Sequence, residues 1–188
     1  QVFLADAADA GEIEEAPIEG ADITLQGEPV PETGGGAYTL EPGPLTYRAG
    51  QSWDLVIDIG SSKSKATVEL PDAPDFDLPT THDQGKPLTV DLTGQGFNTI
   101  LVLVVDGESG EITWSNEPET AGEVYDMTHG SDTMDTVTIP GTAFPKQGAY
   151  AVGVAGMLNT QAKDLDNMNT VLSAAMSGKM AFDGVGVL

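Results

Sequence analysis

The chain has 188 residues, no cysteine, and 30 acidic side chains against 7 basic ones, for a formal net charge of −23. That charge repels nucleic-acid phosphates and anionic lipid headgroups and favours cations and basic partners. Without cysteine there are no disulfides and no thiolate metal sites, while a hydrophobic fraction of 39% is too high for a disordered chain and sufficient for a core.

Residues 1–47 contain ten acidic side chains and no Lys or Arg. The first twenty are mainly Ala, Asp and Glu and read as a tether. No stretch approaches the length of a membrane span, and residues 1–22 lack the basic start of a signal peptide. The numbered chain is therefore expected to be a mature form. Asp22-Ile23-Thr24-Leu25-Gln26 and Ala37-Tyr38-Thr39-Leu40-Glu41 alternate like strands. Pro29, Pro31 and Gly34-Gly35-Gly36 lie between them as turn material, so a small hairpin is expected here.

Beyond Pro44 the alternation strengthens. Trp53, Leu55, Ile57 and Ile59 mark one half-buried strand, Ala66, Val68 and Leu70 the next, and Leu88, Val90 and Leu92 another. Residues 71–86 hold three prolines and four aspartates and read as a long surface loop. Ile100 to Val105 is an unbroken apolar run, too short for a buried helix, and reads as a central strand covered on both faces. Asp106-Gly107-Glu108-Ser109-Gly110 turns the chain into Glu111-Ile112-Thr113-Trp114-Ser115, its glycines suiting a hairpin loop. A polar loop follows, then the strand Thr136-Val137-Thr138-Ile139, stopped by Pro140.

Phe144-Pro145-Lys146-Gln147-Gly148-Ala149-Tyr150 reads as a corner leading into a strand in which Tyr150, Val152 and Val154 share a face. Residues 159–169 form a polar connector. The last stretch, 170–187, fits two patterns: Leu172, Ala174, Met176, Met180 and Phe182 have strand spacing, whereas Val171, Ala175 and Met176 fit a helix face capped by Asn169. Gly178, Gly184 and Gly186 favour the strand.

About eight short strands with Gly and Pro turns indicate an all-β, antiparallel sandwich over 44–188, preceded by an acidic extension or tether over 1–43. The corner Phe-Pro-x-x-Gly-x-Tyr-x-Val-x-Val resembles the turn into a late strand of an immunoglobulin-like sandwich. In that fold the tyrosine covers the end of the core and its hydroxyl bonds back to the turn. With the Ala-Gly-Gln turn before the Trp53 strand and the Val-Val-Asp-Gly-x-x-Gly hairpin, the chain resembles immunoglobulin-like domains of Gram-negative surface and periplasmic proteins and lipoproteins. The resemblance covers about two thirds of the chain and implies fold rather than activity.

Residue types that carry chemistry are sparse. His82 and His129 are the only histidines, and no Gly-x-Ser-x-Gly elbow accompanies them. Asp126, Met127, His129, Asp132, Met134 and Asp135 crowd one stretch, mixing ligands that suit copper with ligands that suit calcium. Asp164, Asp166, Asn167 and Asn169 begin like a calcium loop, but Met168 stands at a ligand position and neither the following Gly nor a closing Glu is present. Solvated acidic turns are the plainer reading of both. Trp53 and Trp114 are expected in the core, and would form a sugar-stacking platform only if exposed.

The expected function is a non-enzymatic, extracytoplasmic binding or structural module, in the periplasm, on the outer membrane surface or secreted. It would form part of a surface lipoprotein, reaching a membrane only through a lipid upstream of Gln1, and would meet a protein or glycan at the cell surface. No cofactor is expected. One rival is a carbohydrate-active enzyme or carbohydrate-binding domain that uses carboxylates and an exposed Trp. Another is an adhesion-type domain stabilised by calcium.

Overall fold

The computed structural model describes residues 2–4, 16–130, 132–161, 164–165 and 173–188. Strand predominates, with one short α-helix (α1, Ala121–His129) among the described residues. The early strands are β1 (Val2–Phe3), β2 (Asp22–Leu25), β3 (Glu28–Pro29), β4 (Glu32–Gly34), β5 (Ala37–Tyr38), β6 (Ser52–Ile59) and β7 (Ser62–Glu69). Then come β8 (Thr81–His82), β9 (Leu88–Asp91), β10 (Thr99–Asp106), β11 (Ile112–Ser115) and β12 (Thr136–Ile139). Last are β13 (Gly148–Gln161), β14 (Asp164–Leu165) and β15 (Ala174–Val187). The chain divides into two compact units, each assembled from separate pieces.

The first unit comprises Gln1–Leu70, Glu119–His129 and Asn159–Ser177. Its main sheet has the order β14-β7-β6-β2-β3, and a second sheet runs β1-β5-β4. β6 and β7 form a hairpin from Ser52↔Glu69 to Ile59↔Ser62, closed by Gly60 and Ser61. The expected hairpin between the two early alternating runs is replaced by other pairings. β2 pairs with β3 and with β6, whereas β5 pairs with β4 and β1. A tight Gln26-Gly27 turn explains the first of these, since both residues have positive φ (53° and 84°) and connect β2 directly to β3.

Leu4, Ala21, Ile23, Val30, Tyr38 and Ile57 form the buried core of this unit. Tyr38 is fully buried, and its hydroxyl donates to Ile18 O (3.2 Å) and accepts from Ala21 N (3.0 Å), so the polar tip is satisfied. Trp53 departs from expectation. It is half-buried and lies outside the core, edge-on to Tyr47 at 6.1 Å.

The second unit comprises Pro71–Pro118, Gly130–Leu158 and Gly178–Leu188. Its five-stranded sheet runs β11-β10-β13-β15-β8, accompanied by the two-stranded ladder β12-β9. β10 and β13 are antiparallel from Thr99↔Met157 to Asp106↔Tyr150. β15 is a strand from Ala174 onward, which settles the alternatives for the described part of that stretch. The core is larger here. Val90 and Leu92 from one side, with Val102, Val104, Val152 and Val154 from the other, are at most 1% exposed.

Two differences from expectation concern this unit. In β10, Ile100, Val102 and Val104 are buried while Leu101, Leu103 and Val105 are only half-buried, so the run has one core face rather than two. The proline-rich loop is also partly structural. Phe76 and Leu78 pack on the core, and β8 pairs in parallel with β15 through Gly186↔Thr81 and Val187↔His82.

The corner is tightly tied. The Tyr150 hydroxyl donates to Lys146 O (2.9 Å) and accepts from Lys146 N (3.3 Å), and Phe144 meets the Tyr150 ring edge-on at 5.3 Å.

Candidate functional site

Several carboxylates are held by their own turns or by a neighbouring lysine. Asp106 is 5% exposed. One of its oxygens accepts from the backbone N–H groups of Glu108 (2.8 Å) and Ser109 (3.1 Å), and the other meets Lys146 Nζ at 3.0 Å. The Lys146 ammonium, followed by those two N–H groups, holds the Asp106 carboxyl below the ordinary carboxylate value. Lys146 also reaches Glu108 Oε2 at 2.9 Å, and its two carboxylate partners push its pKa up. The group is therefore an ionised clasp that joins the β10–β11 turn to the corner before β13. A proton donor or acceptor needs a pKa near the working pH, and this arrangement moves acid and base away from it.

Other carboxylates are similarly committed. Asp54 is held by Lys65 (2.8 Å) and the Thr67 hydroxyl (2.7 Å), which lower its pKa in that order. Asp91 accepts from the hydroxyl and the N–H of Thr93. Glu123 accepts from the N–H groups of Glu119 and Thr120, while Thr120 Oγ1 accepts from Glu123 N at 3.2 Å. That reciprocal pair is a capping box, and it starts α1 where the sequence reading placed a polar loop. The Thr120-x-x-Glu123 spacing was the signal for it.

Asp126 and His129 lie on α1 in the first unit, whereas Asp132 and Asp135 are exposed residues of the second. The His129 ring stacks on Tyr125 at 4.1 Å, its Nδ1 lies 2.9 Å from Thr128 Oγ1, and its buried Nε2 has no partner among the described residues. Asp164 lies in β14 opposite Lys65, and Asp166, Asn167 and Asn169 fall outside the described residues. Among the described residues no three His, Asp or Glu side chains gather as a metal site. His82 is occupied structurally, with Nε2 2.9 Å from Lys86 O and its ring edge-on to Phe144.

The second unit's sheet presents a different kind of surface, which sequence reasoning missed. Leu101, Leu103 and Val105 point away from the core face of β10. Gly153 stands opposite Leu103, and the Phe182 ring covers it so closely that a Cβ there would meet Cε1 at 2.6 Å. Phe182 is nevertheless 61% exposed, and Ile112, opposite Val105 on the edge strand, is 62% exposed. Trp114, on the other face, is partly buried against the core. The outward face of this sheet is therefore apolar, whereas an antiparallel sheet facing water is normally polar there. The hint in the sequence was the unbroken Ile100–Val105 run, whose second face needs a cover or remains a surface. No protein-family model matches the chain, and no curated protein is significantly similar to it.

Proposed function

We propose that this chain is a non-enzymatic binding or structural module that works outside the cytoplasm, as part of a surface protein or lipoprotein, on an immunoglobulin-like architecture. The observation that carries the binding role is the outward apolar face of the second unit, where Phe182 and Ile112 stand more than half exposed. Large exposed apolar side chains gathered on one sheet are a common mark of an interaction surface. The clasped carboxylates support the same reading, because Asp106 and Asp54 serve turns and ion pairs. The clasped corner at Tyr150 supports the architecture.

The test is a panel of soluble polysaccharides incubated with the purified protein and assayed for new reducing ends. No release is expected, and steady turnover by the chain would overturn the non-enzymatic reading. Fractionation of cells expressing the full-length gene tests the location.

A second reading has one observation in its favour. Tyr47 and Trp53 form a half-buried, edge-to-face aromatic pair at 6.1 Å, a surface on which a sugar ring can stack. Glycan-array binding that disappears in Trp53→Ala would favour a carbohydrate-binding module.

A further inference from the structure

We infer that Tyr47, Arg48 and Trp53 of the first unit bind a short saccharide through a terminal sugar that carries a carboxylate. The inference deepens the carbohydrate-binding reading and rests on it. Tyr47 and Trp53 are half-buried and belong to neither buried core. Their rings meet edge to face, with centroids 6.1 Å apart and 72° between the planes. The ring that offers its edge therefore keeps both faces clear of its partner, and a sugar stacks its apolar C–H side on such a face.

Arg48 stands where the two rings are joined. It follows Tyr47 directly, with about 3.8 Å between their Cα atoms. It also opens the turn that leads to Trp53, in which the Gln51 N–H donates to Arg48 O at 3.3 Å. Two bonds to Leu70 hold this turn: Gly50 N donates to Leu70 O and Leu70 N donates to Gln51 O, each at 2.8 Å. The rings and the arginine are thus carried on one fixed corner of the sheet. Gln51 and Ser52 are exposed on the same corner, and Gln26 Nε2 donates to Ser52 O at 2.8 Å, which leaves its Oε1 to accept. Amides and hydroxyls of this kind both donate to and accept from sugar hydroxyls.

Charge selects the ligand. Arg48 is the only arginine of the chain. It is exposed and makes no ion pair among the described residues, whereas Lys63, Lys65 and Lys146 are all paired. A guanidinium presents a planar fork of N–H donors that matches a carboxylate. In a chain with 30 acidic side chains that fork has stayed unpaired, so it is open to a carboxylate from outside. One guanidinium matches one carboxylate, and a net charge of −23 repels a polyanion. The ligand class is therefore a short saccharide ending in a single acidic sugar, rather than an anionic polysaccharide.

The probes are a glucuronic-acid-terminated disaccharide and its glucose-terminated counterpart. Each is titrated into the isotope-labelled full chain at about physiological salt, where diffuse repulsion is screened. The two indole N–H resonances, assigned with Trp53→Phe, report the site and an internal control. The Trp53 signal should move saturably while the Trp114 signal stays, with the acidic disaccharide binding about tenfold tighter. Arg48→Gln, whose folding is checked by its thermal melt, should bring the two ligands to within about twofold. Arg48→Lys keeps the charge but loses the fork, and should recover only part of the difference. Equal binding of the two disaccharides, or a preference that survives Arg48→Gln, overturns the acidic-sugar site and leaves the carbohydrate-binding reading standing. If neither disaccharide moves Trp53, both fall. A peptide whose C-terminal carboxylate moves Trp53 where the saccharides do not would assign the corner to a protein partner and overturn the site too.

Discussion

The two five-stranded sheets have opposite inside-to-outside patterns. In the first unit, β6 carries Asp54 and Asp58 outward, where they meet Lys65 and Lys63 of β7, and its inward side buries only Ile57. In the second unit, β10 buries Ile100, Val102 and Val104 and still presents Leu101, Leu103 and Val105 on its other face. The first sheet is polar outside over a modest core, while the second is apolar on both faces over a dense core. Surface ion pairs contribute little each, so the first sheet depends on a few buried side chains such as Ile23 and Tyr38. The second has apolar surface beyond what its own core requires, and that surplus makes it the better candidate for a partner.

The sharpest test of this contrast is core truncation. Phe144 is 1% exposed and meets both Tyr150 and His82 edge-on. Phe144→Ala should cost about 4 kcal/mol in urea unfolding, whereas Ile57→Ala in the thinner core should cost about 2 kcal/mol. Equal losses would mean that the two cores are equally packed. Asn116→Ala comes next. It strips partners from Val102 N and Ile100 O on an otherwise apolar strand, for a loss of about 2 kcal/mol. It should also raise aggregation measured by light scattering, because it uncovers that edge of β10.

A smaller effect is expected from the Asp106 clasp. Its folded-state carboxyl titrates below the ordinary value of 3.8. The stabilisation is therefore fully present above that pH and fades as pH falls further, through the folded value. Asp106→Asn should melt below the parent at neutral pH, and the two melts should converge in acid. A gap that persists unchanged into strong acid would remove the ionic part of the clasp. The smallest effect concerns cations. Twenty-three excess negative charges oppose compactness, so sodium chloride should raise the melting temperature by screening. Millimolar calcium added to high salt should then shift the melt no further. A shift reversed by chelator would instead mark a site, at Asp164, Asp166, Asn167 and Asn169 or around Asp126.

Much of the strand content was legible because alternation is local. Leu55 with Ile57, Leu88 with Val90, Val137 with Ile139 and Val152 with Val154 can be read within a few residues, and each pair lies in an observed strand. Helix α1 was missed because Val124, Tyr125 and Met127 make a thin apolar stripe, although Thr120 and Glu123 announced its start. Trp53 was expected in the core because it shares the parity of Leu55 and Ile57. Parity assigns a face, and distance along the strand decides whether that face is still covered.

By itself, the sequence determined the strand character of most segments, the corner at Tyr150 and the acidity that makes a basic partner favourable. Those follow from side-chain type and period, which act over a few residues. Tertiary structure alone decided that Asp22–Leu25 pairs with Ser52–Ile59 and that Thr81–His82 joins β15 in parallel. It also decided that Asn116 closes the edge of β10. Strand pairing is a choice among many distant edges of similar chemistry, and the packing of a whole unit makes that choice.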